Sequence, residues 1–391
     1  MSGLVPLGFR AAGGAAGLKE SGAPDLAVVA AAPPGAVPAA AVFTRNLAAA
    51  APVQLSRRHL AESAGRVGAV VLNSGCANAG TGESGLAAAA TTARAAGQRL
   101  GLPPEHVLVC STGVIGTELP LARLEGALPG LCDELGDSEE SLLSAARAIM
   151  TTDTHEKLAW AELAGGARLA AIAKGAAMLA PDMATMLAVL LTDAVVAPDR
   201  LHVALARATG RSFNDLSVDG CTSTNDTVIV LASGASGVEP DEAELTAALT
   251  AACRNLAHQM AADAEGGTKV VRVVVSGALD HEGARAAARR VAESSLVKCS
   301  WYGGDPNWGR VLSELGTAGT ALDPARVRIS YGRHTVCSAG VAAAHDEAAL
   351  ADYLAGPEFE ILCELGLGDG RGEILSADLT HGYVDENMGR S

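Results

Sequence analysis

The stretch Lys174-Gly175-Ala176-Ala177-Met178-Leu179-Ala180-Pro181-Asp182-Met183-Ala184-Thr185-Met186-Leu187 sets a Gly/Pro-punctuated turn against a long apolar run, with a small residue and a threonine at the junction. The continuation, Leu187-Ala188-Val189-Leu190-Leu191, reads as a buried strand that holds the threonine rigidly. A threonine hydroxyl is a poor nucleophile at neutral pH unless a base sits beside it. Breaking the peptide bond before it supplies one: the freed α-amine, with an ordinary pKa near ~8, serves as general base for its own side chain. Ala184 leaves little bulk around the carbonyl that Thr185 Oγ would attack, so the junction reads as built to be cut. Ala-Thr pairs are nevertheless common, and the dipeptide by itself does not single out a nucleophile.

Working outward, strand-like and helix-like segments alternate without repeats or low-complexity linkers. Residues 68–72 and 107–109 read as short buried strands and residues 85–100 as an Ala-rich helix. Ser138-Glu139-Glu140 opens another helix, with a capping acceptor and two acids suited to the N-terminal dipole. Residues 198–208 and 241–262 carry helical periodicity, 269–276 is the clearest strand, and 283–297 follows as a helix. The pattern is α/β (α+β). No Pro/Gly-rich linker divides the chain, so the boundary assigned is chemical, giving fragments 1–184 and 185–391.

With 391 residues the chain can bury a substantial core. Hydrophobic residues make up 49% of it but aromatics only 3%, so that core is built from Ala, Val and Leu. A net charge of −15 argues against nucleic acid or an anionic membrane as partner and favours a soluble protein acting on small molecules. The eight cysteines are scattered, with no Cys-x-x-Cys pair and no His spacing that suggests zinc. They read as reduced and mostly buried, in a cytoplasmic protein, and no metal is expected. No signal peptide is apparent, and no segment reaches the ~20 uninterrupted apolar residues of a membrane-spanning helix.

The junction resembles the signature of the ornithine acetyltransferases, or bifunctional glutamate N-acetyltransferases, which carry a Lys-Gly-x-Gly-Met-hydrophobic-x-Pro-x-hydrophobic-Ala-Thr-Met-Leu motif. The resemblance runs nearly end to end. Pro6-Leu7-Gly8-Phe9, Val42-Phe43-Thr44-Arg45-Asn46, Asn73-Ser74-Gly75-Cys76-Ala77-Asn78-Ala79 and Ser111-Thr112-Gly113-Val114-Ile115-Gly116 look like that family's blocks in its order. So do Met150-Thr151-Thr152-Asp153-Thr154, Ser223-Thr224-Asn225-Asp226-Thr227, Glu265-Gly266-Gly267-Thr268-Lys269 and Asp305-Pro306-Asn307-Trp308-Gly309-Arg310.

The resemblance implies a layered α-β-β-α sandwich, similar in logic to self-processing N-terminal-nucleophile hydrolases but different in connectivity. It implies cleavage at Ala184-Thr185, an acetyl-Thr185 intermediate, and transfer of acetyl from N2-acetylornithine to glutamate in arginine biosynthesis. No cofactor is implied, and acetyl-CoA stays open as a second donor substrate. The α and β fragments would assemble as a heterotetramer of two α and two β. Thr112 and Gly113 match the family's oxyanion-hole pair; Lys174, Thr151, Glu265, Asn387 and the terminal Ser391 match its substrate contacts. By residue type alone, Thr112-Gly113 is an ordinary strand-to-loop turn, Lys174 a solvated lysine at a helix end, Thr151 a helix-terminating threonine and Glu265 an acid ending a long helix.

This chain departs from the pattern in several places. Cys76 stands where the family typically has asparagine, Cys221 where it has aspartate and Ala177 where it has glycine. The end, Asn387-Met388-Gly389-Arg390-Ser391, is one residue short and lacks the usual tyrosine. A self-cleaving aminopeptidase or amidase using Thr185 is the competing enzymatic reading, differing in whether water or glutamate resolves the acyl-enzyme. A processed but inactive binding protein is the third. The sequence contains no Gly-x-Ser-x-Gly, Walker-type phosphate loop or His-Glu-x-x-His motif.

Overall fold

Three sheets organise the chain in the computed structural model, which describes residues 5–33, 35–180 and 186–388. The first joins β1 (Phe9–Gly14), β2 (Leu26–Ala31), β5 (Ala69–Asn73) and β6 (Val107–Ser111) in that order, antiparallel except for the β5–β6 pair. The second contains β3 (Val37–Phe43), β4 (Arg66–Val67), β7 (Lys157–Glu162), β8 (Arg168–Lys174), β9 (Leu187–Thr192) and β10 (Thr227–Ala232). Its order is β4-β3-β10-β9-β8-β7, and only β9–β10 is parallel.

The two sheets stack face to face, and their strands show why the run after Thr185 is apolar at every position. Leu187, Val189 and Leu191 of β9 point into the core between the sheets, where they meet Val29, Leu72 and Leu108. The alternating residues Ala188 and Leu190 point the other way, into a core closed by α5 (Pro198–Gly210) and α6 (Glu242–Ala262). A strand buried on both faces loses the polar alternation of a half-exposed one. On the far side, α1 (Ala51–Glu62), α2 (Gly82–Leu100) and α3 (Leu121–Asp133) cover the first sheet through Leu55, Ala93, Ala96, Leu124 and Leu128. The result is the expected α-β-β-α sandwich. The helix α4 (Glu139–Ala148), capped by Ser138 as its sequence requires, adds Leu142, Ala145 and Ala146 to the inter-sheet core.

The sequence reading did not foresee a third sheet, with order β14-β13-β12-β15-β11-β16. It comprises β11 (Val270–Ala278), β12 (Arg328–Tyr331), β13 (His334–Ser338), β14 (Val341–Ala342), β15 (Glu358–Glu364) and β16 (Gly370–Ala377). Val271, Val273 and Val275 form a separate core with α7 (His281–Ala292), α8 (Ser295–Tyr302), α9 (Trp308–Gly316) and α10 (Glu347–Leu354). Val270, Leu375 and Ala377 belong instead to the core under α6, so this unit is anchored to the sandwich. The single helix expected over 283–297 is two: α7 stops at Ala292, and Ser294 accepts from the Val297 amide to start α8. A final helix, α11 (His381–Asn387), follows β16.

The boundary proposed at Ala184-Thr185 falls between β8 and β9, which are adjacent antiparallel strands of one sheet with Lys174 opposite Leu187. Six cysteines are buried, while Cys221 and Cys299 are exposed. No helix among the described residues is long and apolar enough to cross a membrane.

Ile172 of β8 is fully buried between the sheets. Ile172→Ala should lower the free energy of unfolding by about 2–5 kcal/mol, read from denaturant titration of the intact protein. Leu47→Ala, at a fully exposed position, should leave it within about 0.5 kcal/mol. Equal effects would mean that the inter-sheet core is not where the stability resides.

Candidate functional site

Seven described parts of the chain converge on one cavity of about 690 Å³. They are the loops after β5 and β6, the segment after α4, the end of β8, the loop before β10, the turn after α6 and the helix α11. Among its lining residues are Thr112, Gly113, Thr151, Lys174, Glu265 and Asn387, the described residues singled out from sequence. Ala184, Thr185 and Ser391 lie outside the described residues. Met186, one bond beyond the junction, donates its amide to Asp226 Oδ1 at 3.0 Å. Burial holds the Asp226 carboxyl well above the usual carboxylate range.

The Thr112-Gly113 loop is fixed from behind. The Thr112 amide donates to the Asn73 carbonyl at 2.9 Å, and the Ser111 hydroxyl to Asn73 Oδ1 at 2.6 Å. Asn225 Nδ2 donates to the Ala77 and Ser111 carbonyls at 2.7 and 2.9 Å, tying the loop to the segment before β10. Gly113 has φ +127°, and a Cβ there would stand 2.4 Å from the Gly75 carbonyl carbon. Both facts demand glycine. Cys76, one of the departures, sits behind this loop bridged to Thr112 rather than in the cavity wall.

Lys174 is no solvated lysine. It ends β8, is 2% exposed, and places Nζ 3.5 Å from Thr112 Oγ1 and 3.8 Å from Asp153 Oδ2. Asp153 is one residue that sequence reasoning missed. It accepts from Lys157 Nζ at 2.7 Å, the Gly175 amide at 2.7 Å and the Thr151 amide at 3.0 Å. Lys157 in turn donates to Asp263 at 2.5 Å. Asp263 also takes the Thr154 hydroxyl and lies 3.3 Å from the half-exposed His155 ring. Burial alone would push the Asp153 carboxyl upward, but the Lys174 and Lys157 ammoniums and the Thr151 amide reverse that and hold it well below the usual range. For Lys174 burial prevails, lowering its pKa against the opposing pull of the Asp153 carboxylate. Thr151 lies beyond the end of α4, at a turn held by Asp153, rather than terminating the helix itself.

Across the cavity, Glu265 sits past the end of α6, in the turn, not on the helix. Its amide donates to the Ala176 carbonyl at 3.1 Å, and its Oε2 accepts from Asn387 Nδ2 at 2.7 Å. Two lining residues not foreseen from sequence, Asp219 and Tyr383, lie nearby. Asp219 accepts from the Met178 amide at 2.6 Å, steadying that residue in a left-handed conformation (φ +54°). Tyr383 is pushed up to about 12, by burial first and then by the charge of Asp219 and Glu265. The departures Cys221 and Ala177 line the cavity. No group of three or more metal-ligating side chains occurs among the described residues.

Gly266 packs against the backbone of α11: at φ +62°, a Cβ would stand 2.2 Å from the Tyr383 amide nitrogen. Gly266→Ala should therefore push α11 off the cavity and break the Glu265–Asn387 contact. Substrate KM should rise while the global unfolding midpoint changes little. An unchanged KM would show that α11 does not shape the site.

Residues 10–389 match the model of the ArgJ family. The chain is 46% identical to the arginine biosynthesis bifunctional protein ArgJ of Mycolicibacterium paratuberculosis, covering 99% of this chain and 96% of that one. It is 44% identical to the protein of the same name from Thermobifida fusca, over the whole of both. Among solved structures, the ornithine acetyltransferase of Mycobacterium tuberculosis complexed with ornithine is 40% identical over 48% of this chain and 96% of that one, with a TM-score of 0.44. The match to the family model and the identity along almost the full length make the chain a member of the ArgJ family.

Proposed function

We propose that this chain is a self-processing glutamate N-acetyltransferase of arginine biosynthesis that moves acetyl from N2-acetyl-L-ornithine to L-glutamate through Thr185. The observation that carries the reading is the two-signed cavity. A buried Lys174 lies on one side and Glu265 on the other, with the Thr112-Gly113 loop beside Lys174. N2-acetylornithine presents a carboxylate, an ammonium and an acetamide, so a lysine, an acid and an oxyanion donor answer it group for group.

In this reading the Ala184-Thr185 bond breaks, giving chains 1–184 and 185–391 that stay together because β8 and β9 share a sheet. Thr185 Oγ then attacks the acetyl carbonyl, its proton passing to the freed α-amine. Thr112 and Gly113 donate to the developing oxyanion. The amide C–N bond breaks, ornithine leaves with the proton, and an acetyl ester remains on Thr185. The glutamate amine attacks that ester, the C–O bond breaks, and N-acetylglutamate departs as the hydroxyl is restored. Thr151 and Asn387, with Ser391 at the terminus, complete the substrate contacts. Acetyl-CoA is a second donor for the same ester, and the reaction needs no cofactor. The assembly is a heterotetramer of two α and two β chains in the cytoplasm.

Mass spectrometry of the purified protein should find two fragments, and Thr185→Ala should give one uncut, inactive chain. Brief exposure of the processed protein to acetylornithine alone should add one acetyl group to the Thr185 fragment. Initial rates against both substrates should give parallel reciprocal plots, since the first product leaves before glutamate enters. A full-length active protein, or intersecting plots, defeats the mechanism.

An oxyanion donor acts on the transition state, so Thr112→Ala should lower kcat by about 100–1,000-fold with a much smaller change in KM. Near-parental turnover in a folded Thr112→Ala protein would assign the oxyanion to other groups.

A further inference from the structure

Asp153 carries no role in the reaction just described and does not line the cavity, yet from behind the wall it touches two residues that do, Thr151 and Lys174. Its Oδ1 takes the Lys157 ammonium and the amide of Gly175, the residue following Lys174. Its Oδ2 takes the amide of Thr151, on the opposite lip, and faces Lys174 Nζ at 3.8 Å. The carboxyl itself is wholly buried. One rigid acceptor thus sets the direction of the lysine, the backbone after it and the loop bearing Thr151.

We propose that Asp153 is a positioning residue for substrate binding, aiming the Lys174 ammonium at the carboxylate of the amino-acid substrate and holding the Thr151 lip at its side. The inference rests on the acetyltransferase reading and adds a residue to it. A lysine removed from water is worth little to a carboxylate unless it is both charged and oriented. The groups facing Lys174 are Asp153 after α4, Lys157 on β7, Glu265 after α6 and Asp226 before β10, with Lys19 between β1 and β2 also within electrostatic reach. After burial, which lowers the lysine's pKa, Asp153 is the largest influence, and it acts upward. Removing its charge therefore moves deprotonation of Lys174 to lower pH. Carboxylate binding, present below that pH and lost above it, should disappear earlier as the pH rises.

The test compares two acetyl donors on the processed enzyme: N2-acetylornithine and N-acetyl-1,4-diaminobutane, which lacks only the carboxylate. The parental kcat/KM should favour acetylornithine by about 10–100-fold, the worth of one charged hydrogen bond. Asp153→Asn should erase most of that preference by raising KM for acetylornithine. It should spare kcat at saturation and shift the alkaline loss of acetylornithine kcat/KM to lower pH. The des-carboxy donor should be nearly unaffected.

Asp153→Asn leaves Lys157 paired with Asp263. The double variant Asp153→Asn/Lys157→Gln removes one charge of each sign and serves if the single variant does not fold. The same loss of preference, smaller because the repulsion of Lys157 also goes, is expected there. If a folded variant keeps the parental preference and pH profile, or loses both donors equally, Asp153 is purely structural and the proposal falls. A parental enzyme that makes acetyl-Thr185 yet does not distinguish the donors overturns the carboxylate role of Lys174 and this inference with it, leaving acyl transfer intact. A parental enzyme that forms no acetyl-enzyme overturns the acetyltransferase reading itself.

Discussion

The register of β8 against β9 is the constraint on which the site depends. Lys174 pairs with Leu187, so the last residue of one strand and the first of the next stand at the same edge of the second sheet. A slip of one residue would turn Lys174 from the cavity and move Leu187, Val189 and Leu191 out of the inter-sheet core. The apolar demand of two cores on alternate residues of β9 forbids that slip. The same packing that stabilises the sandwich thereby fixes the pocket lysine relative to Leu187, the first residue of β9. It also explains how a bond could be broken between these strands without loss of the fold: their partners, β7 and β10, lie on opposite sides of the pair.

A second constraint is charge. Lys157 and Lys174 are both removed from water, and burying an unpaired ammonium costs several kcal/mol. Asp153 and Asp263 answer them, and the amides of Thr151, Thr154 and Gly175 and the Thr154 hydroxyl donate to the remaining carboxylate positions. Such an arrangement adds little net stability compared with apolar residues of similar volume. What it supplies is direction: a carboxylate with several fixed donors cannot turn, and the lysine it faces inherits that fixity.

The sequence made the local elements legible because their signals are local. The β5 and β6 runs, the Ser138 cap, the helical periodicity of α6 and the apolar β9 lie in short windows and appear where expected. The third sheet was not legible as a sheet. Its β15 inserts between β11 and β12, and β16 closes against β11 from the far end of the chain. The α7–α8 break was missed because Ser294 was read as a helix residue and acts as a cap. In the site, family blocks located six residues on one cavity, but Asp153 looked like one acid in a Thr-rich turn. Its meaning lies in Lys174, 21 positions away, and in two amides that no side-chain pattern announces. Asp219 and Tyr383 were hidden for the same reason.

The third sheet also explains why the acidic side of the cavity lies where it does. Asp378, just beyond β16, accepts from the amides of Thr268 and Lys269 at 2.8 and 3.0 Å and from the Thr268 hydroxyl at 2.5 Å. Thr380 then donates to the Gly266 carbonyl at 2.5 Å and caps α11. These bonds clamp the chain entering α11 to the chain leaving Glu265, two segments joined only through the whole of the third unit. Gly266 removes the side chain that would keep them apart. Asn387 can therefore reach Glu265 only because β11 and β16 are neighbours. The carboxyl-terminal unit serves as the frame that brings α11 back to the cavity bearing the lysine of β8: one face of β11 and β16 packs under α6 through Val270, Leu375 and Ala377, while the other carries a separate core through Val271, Val273 and Ile374.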